Sequence, residues 1–381
     1  MRLSLRRLNR ATLARQSLLV REPGNVVDAV RRIVALQAQE PASPYLALWN
    51  RVHAFDPAEL DAAFLRFEIV KAPLMRVTLH AIAADDRDAF HAAMRQVLRA
   101  SRLNDRRFLA TGLAPRDVDA LLPRLVDLAD RPRTRPEIEA WLAERFGGPP
   151  DPFVWHALRT VAPLVHAPSD VEPWAFGRTP RFVAAPDAHG DEDPSAGRRR
   201  LTLRYLRAFG PASRRDLAQF SLLRQSDLRP VLEALGDELV HMEGPDGAPL
   251  LDVPGAPLPD EDTPAPPRLL GMWDSVLLAY ADRSRVLSSA YRAQVIRRNG
   301  DVLPAVLVDG TVAGVWRPVP NGIEITAFHD LPKVAWDGLE EEASALAAFL
   351  TERDESAYRR FGHWWKNLPR EPARVRTFAP A

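Results

Sequence analysis

The chain has 381 residues, 51 basic and 50 acidic for a net charge of +1, and no cysteine. That length exceeds what one hydrophobic core fills, so two to four domains are expected. The missing cysteine excludes disulfides, thiolate catalysis, iron–sulfur clusters and Cys-ligated zinc and fits a reducing, cytoplasmic setting, and no apolar run approaches the roughly 20 residues of a membrane span.

Lysine occurs only at Lys71, Lys333 and Lys366, so nearly all the basic residues are arginine. GC-rich codon usage accounts for that bias. Arginine also suits bidentate phosphate and base contacts, so the bias is compatible with DNA without demonstrating it.

The first 21 residues are Arg-rich, with no acid before Glu22, a composition shared with organellar transit peptides. They lack a continuous apolar run, and Leu3, Leu5, Leu8, Leu13, Leu18 and Leu19 are expected to line one side of a structural helix. Next, Val26, Val27, Val30, Ile33 and Val34 follow helical spacing, with Asn25 as N-cap, and predict an amphipathic helix over 25–36 that Pro41 and Pro44 stop. A strand is predicted over 74–84 and a helix over 86–98.

A second unit is predicted from a helix over 134–146, a Gly-Gly-Pro-Pro break read as a turn, a helix over 153–161, and short apolar pieces at 164–165 and 174–183. Helix, turn, helix and hairpin is the order of a winged helix. After a stretch at 186–197 that reads as a linker, the same order returns. Helices are predicted over 201–209, 214–220 and 224–235, with Ser213 as a cap and wing strands at 239–243 and 249–253. The Pro- and Asp-rich run 254–267 bounds a last, β-rich unit. It has a hairpin over 303–317 turning at Asp309-Gly310, a strand at 322–327 and a helix over 340–353. The expected fold class is therefore α+β, with tandem winged-helix domains and a β-rich C-terminal unit. The expected domains are 1–110, 111–190, 198–258 and 265–381.

The chemical anomaly lies at the end of the first amphipathic stripe. An apolar residue is due at position 37, and the sequence places Gln37 there, followed by Gln39. On a continued helix the two would diverge, whereas an unwound, extended segment before Pro41 would bring both amides to one cavity. Taken by itself, the pattern favours the plainer reading, with Gln37 a buried, hydrogen-bonded amide closing the helix end and Gln39 a solvated one.

The run Leu36-Gln37-Ala38-Gln39-Glu40-Pro41-Ala42-Ser43-Pro44-Tyr45 resembles the Gln-apolar-Gln motif of AlkZ-type winged-helix DNA glycosylases, relatives of the YcaQ (AlkX) group in which Asp replaces the second Gln. Met75-Arg76-Val77-Thr78-Leu79-His80 is similar to the family's Arg-Gly-Thr-Leu-His strand, with Val77 departing from the usual Gly. Phe209-Gly210-Pro211-Ala212, Trp273-Asp274-Ser275-Val276-Leu277-Leu278 and the hairpin at Asp309-Gly310 also resemble family segments, so the likeness extends over nearly the whole chain.

The resemblance implies a monofunctional enzyme that hydrolyses the N-glycosidic bond of alkylated purines in double-stranded DNA, bulky and crosslinked adducts included. It implies winged helices wrapped around a concave DNA-binding face, and a role in repair or genotoxin self-resistance. A purine alkylated at N7 or N3 is cationic and departs neutral, so no strong general acid is needed, and the sugar left behind is oxocarbenium-like. Gln37 and Gln39 are then jointly assigned to positioning water and stabilising the sugar.

Glu40 is a second candidate base, although an acid before Pro41 is commonly just solvated. His80 is a candidate contact to DNA or a satisfied core histidine, and Arg76 shares its segment. The remaining candidate DNA contacts are Arg198, Arg199, Arg200, Arg214, Arg215, Arg224 and Arg229. The nine histidines show no ligand spacing, so no metal and no cofactor are expected. No lysine neighbours the glutamines in sequence, which argues against a Schiff-base mechanism. A monomer is expected. The competing readings are a non-catalytic winged-helix regulator and an interaction module of a repair assembly.

Overall fold

Three times along the chain the same order of elements recurs, and the strands decide how the copies meet. In the computed structural model residues 2–381 are described, except 171, 172, 178, 187, 189, 191, 369, 370, 372 and 373. The first copy comprises helix Val26–Arg32, strand β1 (Leu36–Gln37), helices Ser43–Trp49 and Pro57–Leu65, and strands β2 (Ile69–Pro73) and β3 (Leu79–Ala83). The second comprises helix Pro115–Leu128, β4 (Arg133–Thr134), helices Arg135–Phe146 and Pro152–Val161, β5 (Leu164–Ala167) and β6 (Arg181–Ala184). In the third, helix Pro194–Phe209 leads to a single bridging residue, Ala212, then to helices Arg214–Ser221 and Gln225–Leu235 and strands β7 (Val240–Glu243) and β8 (Pro249–Asp252).

In each copy the short first strand pairs antiparallel with the last one: Gln37 with His80, Thr134 with Arg181, and Ala212 with Leu251. The first two copies share one six-stranded sheet, ordered β1-β3-β2-β5-β6-β4 and joined where Lys71 faces His166. The order is a mirror image about that joint. In the second and third copies the first strand hands over to a helix at once, through the caps Thr134 and Ser213, each closed into a capping box by an acid three residues on. In the first copy residues 38–41 intervene before the cap, Ala42.

The helix predicted over 25–36 is shorter than its apolar spacing suggests. Asn25 caps it by accepting the Asp28 N–H at 2.8 Å, but it ends at Arg32, and Val34 takes a left-handed backbone at φ 71°. A β-branched residue there carries strain of about 1–2 kcal/mol, offset by its own burial and by the pairing of β1 with β3. Tertiary pairing thus overrides the local pattern.

Two further expectations change. Asp187, His189 and Asp191 of the expected linker lie outside the described residues, but its end is no linker: a helix begins at Pro194, and Gly197 sits inside it against helix Ala84–Leu103. A Cβ at position 197 would stand 2.3 Å from the carbonyl oxygen of Ala89, so only glycine permits this crossing. The N-terminal helix, Leu5–Arg15, is held by polar groups as much as by leucines. Leu5 is exposed, whereas Asn9 donates to the carbonyls of Arg285 and Gly310 (2.7 Å each) and Arg15 grips Asp252 through two bonds of 2.6 and 2.8 Å.

The C-terminal part is an antiparallel sheet ordered β13-β12-β11-β10-β9, made of β9 (Arg268–Leu270), β10 (Ala305–Val308), β11 (Thr311–Val319), β12 (Gly322–Ala327) and β13 (Val375–Phe378), with helix Lys333–Arg353 against it. Its hairpin turns at Asp309 and Gly310, both with positive φ, as a two-residue turn requires. One apolar core runs through the first and third copies and this sheet and takes in Val165, Trp174 and Phe176 of the second, and a separate core joins the rest of the second copy to Leu103 and Phe108 just before it. No described helix is long and apolar enough to cross a membrane.

Candidate active site

Gln37 lies at the end of β1, 6% exposed and opposite His80 on β3. Its Oε1 accepts a hydrogen bond from Nη2 of Arg76 at 2.9 Å. One residue further the ladder continues, with Ala38 N donating to Leu79 O, but the return bond is made by a side chain: Leu79 N donates to Oε1 of exposed Gln39 at 3.1 Å. A guanidinium and a backbone N–H can only donate, so both partners fix the amide orientation. Each glutamine turns its oxygen to the 76–79 segment, and neither Nε2 has a hydrogen-bond partner among the described residues.

Arg76 is itself held from three sides. Nη1 donates to the carbonyl of Phe220 at 3.2 Å, the guanidinium carbon lies 5.4 Å from the Phe220 ring centre, and Nη2 donates to Nε2 of His80 at 3.2 Å. His80 Nδ1 lies 3.0 Å from Thr78 O, which only accepts, so Nδ1 carries the proton and Nε2 is the acceptor. The strand predicted over 74–84 begins only at Leu79. Residues Met75–Val77 form a 3₁₀ turn in which Arg76 and Val77 both have positive φ, 54° and 56°. The departure from the family's Gly therefore falls where glycine has the backbone advantage.

Burial, and then the charge of Arg283, lowers the Arg76 pKa to about 10, so it stays cationic at neutral pH. Burial and the Arg76 charge push His80 down to about 3, against its bond to Thr78, so it is neutral. Arg283 is in turn lowered by burial and by Arg292. The site is donor-rich and positive. Its nearest acid in sequence, Glu40, is ion-paired with Arg360, and burial raises its pKa in spite of that partner.

Lys71 stands one register from Ala72, which faces His80, and adjacent positions on a strand point to opposite faces. Its buried ammonium lies 4.5 Å over the Phe176 ring, on the sheet face opposite Gln37, and the charge of Glu40 opposes the lowering of its pKa by burial.

The Trp273-Asp274-Ser275 segment forms a wall beside Gln37. Leu36, Gln37, Ser43, Ala47 and residues 271–275 line a small recess. Ser275 Oγ donates to Ala35 O at 2.9 Å, and buried Asp274 takes two bonds of 2.8 Å from Arg51. Asp274 thereby ties the wall to the helix after the glutamines.

A family model described as DNA glycosylase AlkZ-like matches residues 30–349, which include the glutamines, Arg76, His80 and the wall. The chain belongs to the AlkZ-like DNA glycosylase family. It is 26% identical over 371 residues to an interstrand DNA cross-link repair glycosylase of Streptomyces sahachiroi, covering 91% of this chain and 96% of that protein. The solved structure of the Streptomyces sahachiroi DNA glycosylase AlkZ superposes with a TM-score of 0.76 at 24% identity, covering 94% and 98% of the two chains, and so shares the fold.

In this glycosylase the other expected contacts scatter. His80 is fully buried with both nitrogens engaged, so it supports Arg76 from behind and presents no surface to DNA. Arg199 pairs with Glu238 and Arg200 with buried Asp86, on the helix packed against Ala84–Leu103, while Arg198 is half-buried on the same helix. Arg214, Arg215, Arg224 and Arg229 are exposed, Arg214 bonded to Gln225 and Arg229 to Glu233. Arg214 and Arg215 open helix Arg214–Ser221, whose other end carries the Phe220–Arg76 contact, while Arg224 stands at the cap of the next helix and Arg229 within it. A groove of about 830 Å³ elsewhere has Asp28, Glu59, Glu68 and Asp85 against Arg31 and Arg66, the wrong balance for DNA. Sequence reading missed Arg283, Arg292 and Arg360, which lie outside every recognisable motif. Among the described residues no group of three His, Asp or Glu could hold a metal ion.

Proposed function

We propose that this glycosylase hydrolyses the N-glycosidic bond of N7- or N3-alkylated purines in double-stranded DNA, bulky and crosslinked adducts included, with Gln37 and Gln39 as the site of chemistry. The observation that carries the reading is the orientation of the two amides. Each oxygen has one lone pair committed to the scaffold and one left to accept from a water, and each NH₂ is left to donate to that water or to a phosphate.

The water adds to C1′ as the C1′–N9 bond breaks. The bond's electrons neutralise the cationic base, and the water's surplus proton passes to solvent. No general acid is required. Neither amide is a base, so acceleration rests on the charged leaving group and on positioning. The name of the Streptomyces sahachiroi relative supports crosslinked substrates.

The three recurring copies have the element order of winged helices, and we read the units as 1–110, 111–190, 198–258 and 265–381, wrapped as one monomer around the duplex. An open concave face admits adducts too bulky to flip into a closed pocket. The test is base release from N7-methylguanine and crosslinked duplexes, read by alkaline cleavage of the abasic product. Gln37→Ala and Gln39→Ala are expected to abolish release and keep DNA binding. Unchanged turnover in both variants would overturn the assignment.

A further inference from the structure

The segment Arg359–Asn367 is a 3₁₀ helix, a strap that crosses beside the glutamines. With three residues per turn, positions i and i+3 eclipse, so Arg360, His363 and Lys366 fall on one edge, and all three are exposed. The opposite side is anchored. Tyr358 OH lies 2.8 Å from Ser43 Oγ and accepts from Met272 N at 3.0 Å, the Phe361 ring meets Trp273 edge-on at 5.5 Å, and Trp364 Nε1 donates to Asp301 at 2.8 Å. Tyr358, Phe361 and Trp365 are buried.

One end of this edge touches the site. Arg360 reaches Glu40, the residue after Gln39, through a single Nη, leaving the rest of its donor fork open. At the other end, Lys366 has no acidic partner among the described residues, in contrast to exposed Lys333, which pairs with Asp337 at 2.7 Å. A rise of about 2 Å per residue sets successive side chains about 6 Å apart. A DNA strand offers one phosphate per roughly 3.4 Å of helix axis and, because the strand winds around that axis, a larger spacing through space, so each step of the row is of the order of the step between neighbouring phosphates.

A solvated basic surface needs neither the alignment nor the rigid anchoring, nor would it end on the catalytic segment. Resting on the reading of the chain as an enzyme of duplex DNA, we propose that Arg360 and Lys366 form a phosphate rail that leads one DNA strand to Gln39, with His363, whose Nδ1 donates to Arg360 O at 3.1 Å and leaves its neutral ring no second N–H, as the spacer between them.

The rail is tested by equilibrium binding of a fluorescent N7-methylguanine duplex between 50 and 200 mM salt, in a Gln37→Ala background. Lys366→Ala is expected to weaken binding severalfold and to lower the slope of log K against log salt by about 0.9, and Lys366→Ala/Arg360→Ala by about twice that. Lys333→Ala is the control and should leave both unchanged. A Lys366→Ala slope and affinity equal to those of Lys333→Ala would overturn the rail. Base release by the Gln37→Ala protein would instead overturn the site assignment and leave the binding result standing.

Discussion

Nη2 of Arg76 lies 2.9 Å from Oε1 of Gln37 and fixes which end of the amide turns to the scaffold. The same nitrogen bonds His80, and Nη1 bonds the end of helix Arg214–Ser221, so one guanidinium sets the amide against two separate parts of the fold.

Removing that guanidinium frees the amide to rotate and leaves Gln37 Oε1 without its donor. A charge-assisted bond contributes about 1.5–3 kcal/mol, so Arg76→Ala is expected to lower the single-turnover rate about 10- to 100-fold. Arg76→Lys keeps the charge but not the fork and should recover only part of the loss. Equal rates in wild type and Arg76→Ala would show that the bond does not position the amide.

Chemistry by two amides has no titrating group near neutrality. With Arg76 at about 10 and His80 at about 3, the single-turnover rate on N7-methylguanine DNA should be flat from pH 5.5 to 7.5. A tenfold fall per pH unit on the acid side would instead mark a carboxylate base, and Glu40, whose pKa burial raises, is the one adjacent.

Lys71 gives a stability prediction. Burial lowers its pKa from 10.5 to about 8, so between those values the unfolded chain binds more protons and folding stability rises with pH. Below pH 8 both states are protonated and the full penalty, up to about 3 kcal/mol, is present. Lys71→Met should therefore raise stability in urea melts at pH 7 and flatten the rise between pH 8 and 10. A variant less stable than wild type at pH 7 would mean that the contact with Phe176 outweighs the burial.

Val77 at φ 56° inverts a common ranking. In most positions glycine is about 0.5–1 kcal/mol less favourable than alanine. Here the left-handed backbone should make Val77→Gly more stable than Val77→Ala in thermal melts. The usual order would place the strain elsewhere in the turn.

Much of the fold could be read from local chemistry. Ser213 with helical spacing behind it located helix Arg214–Ser221 within a residue, although the helix before it starts seven residues ahead of the expected 201, and Asp309-Gly310 located the hairpin. The failures have physical causes. Ile33 and Val34 continue a helical stripe that the chain abandons, because β3 offers a better partner for Leu36. β2, buried along its length and carrying Lys71, shows no alternation, and β9 and β13 are too short to show a period. At the site, the anomaly of Gln37 was visible in periodicity. Its partners were not, since Arg76 and Phe220 are 144 residues apart and meet only through tertiary packing.

Residues 38–41 are the one place where a seam between strand and helix has been let out. In the sister copies Thr134 and Ser213 close that seam, so no stretch of chain there is free to meet a ligand. The added length carries Gln39, whose side-chain oxygen takes over the ladder bond from Leu79 N. Closure entropy grows slowly with loop length, so the same allowance could be written into either sister copy with little loss of stability, making this fold a scaffold with two vacant positions for grafted chemistry.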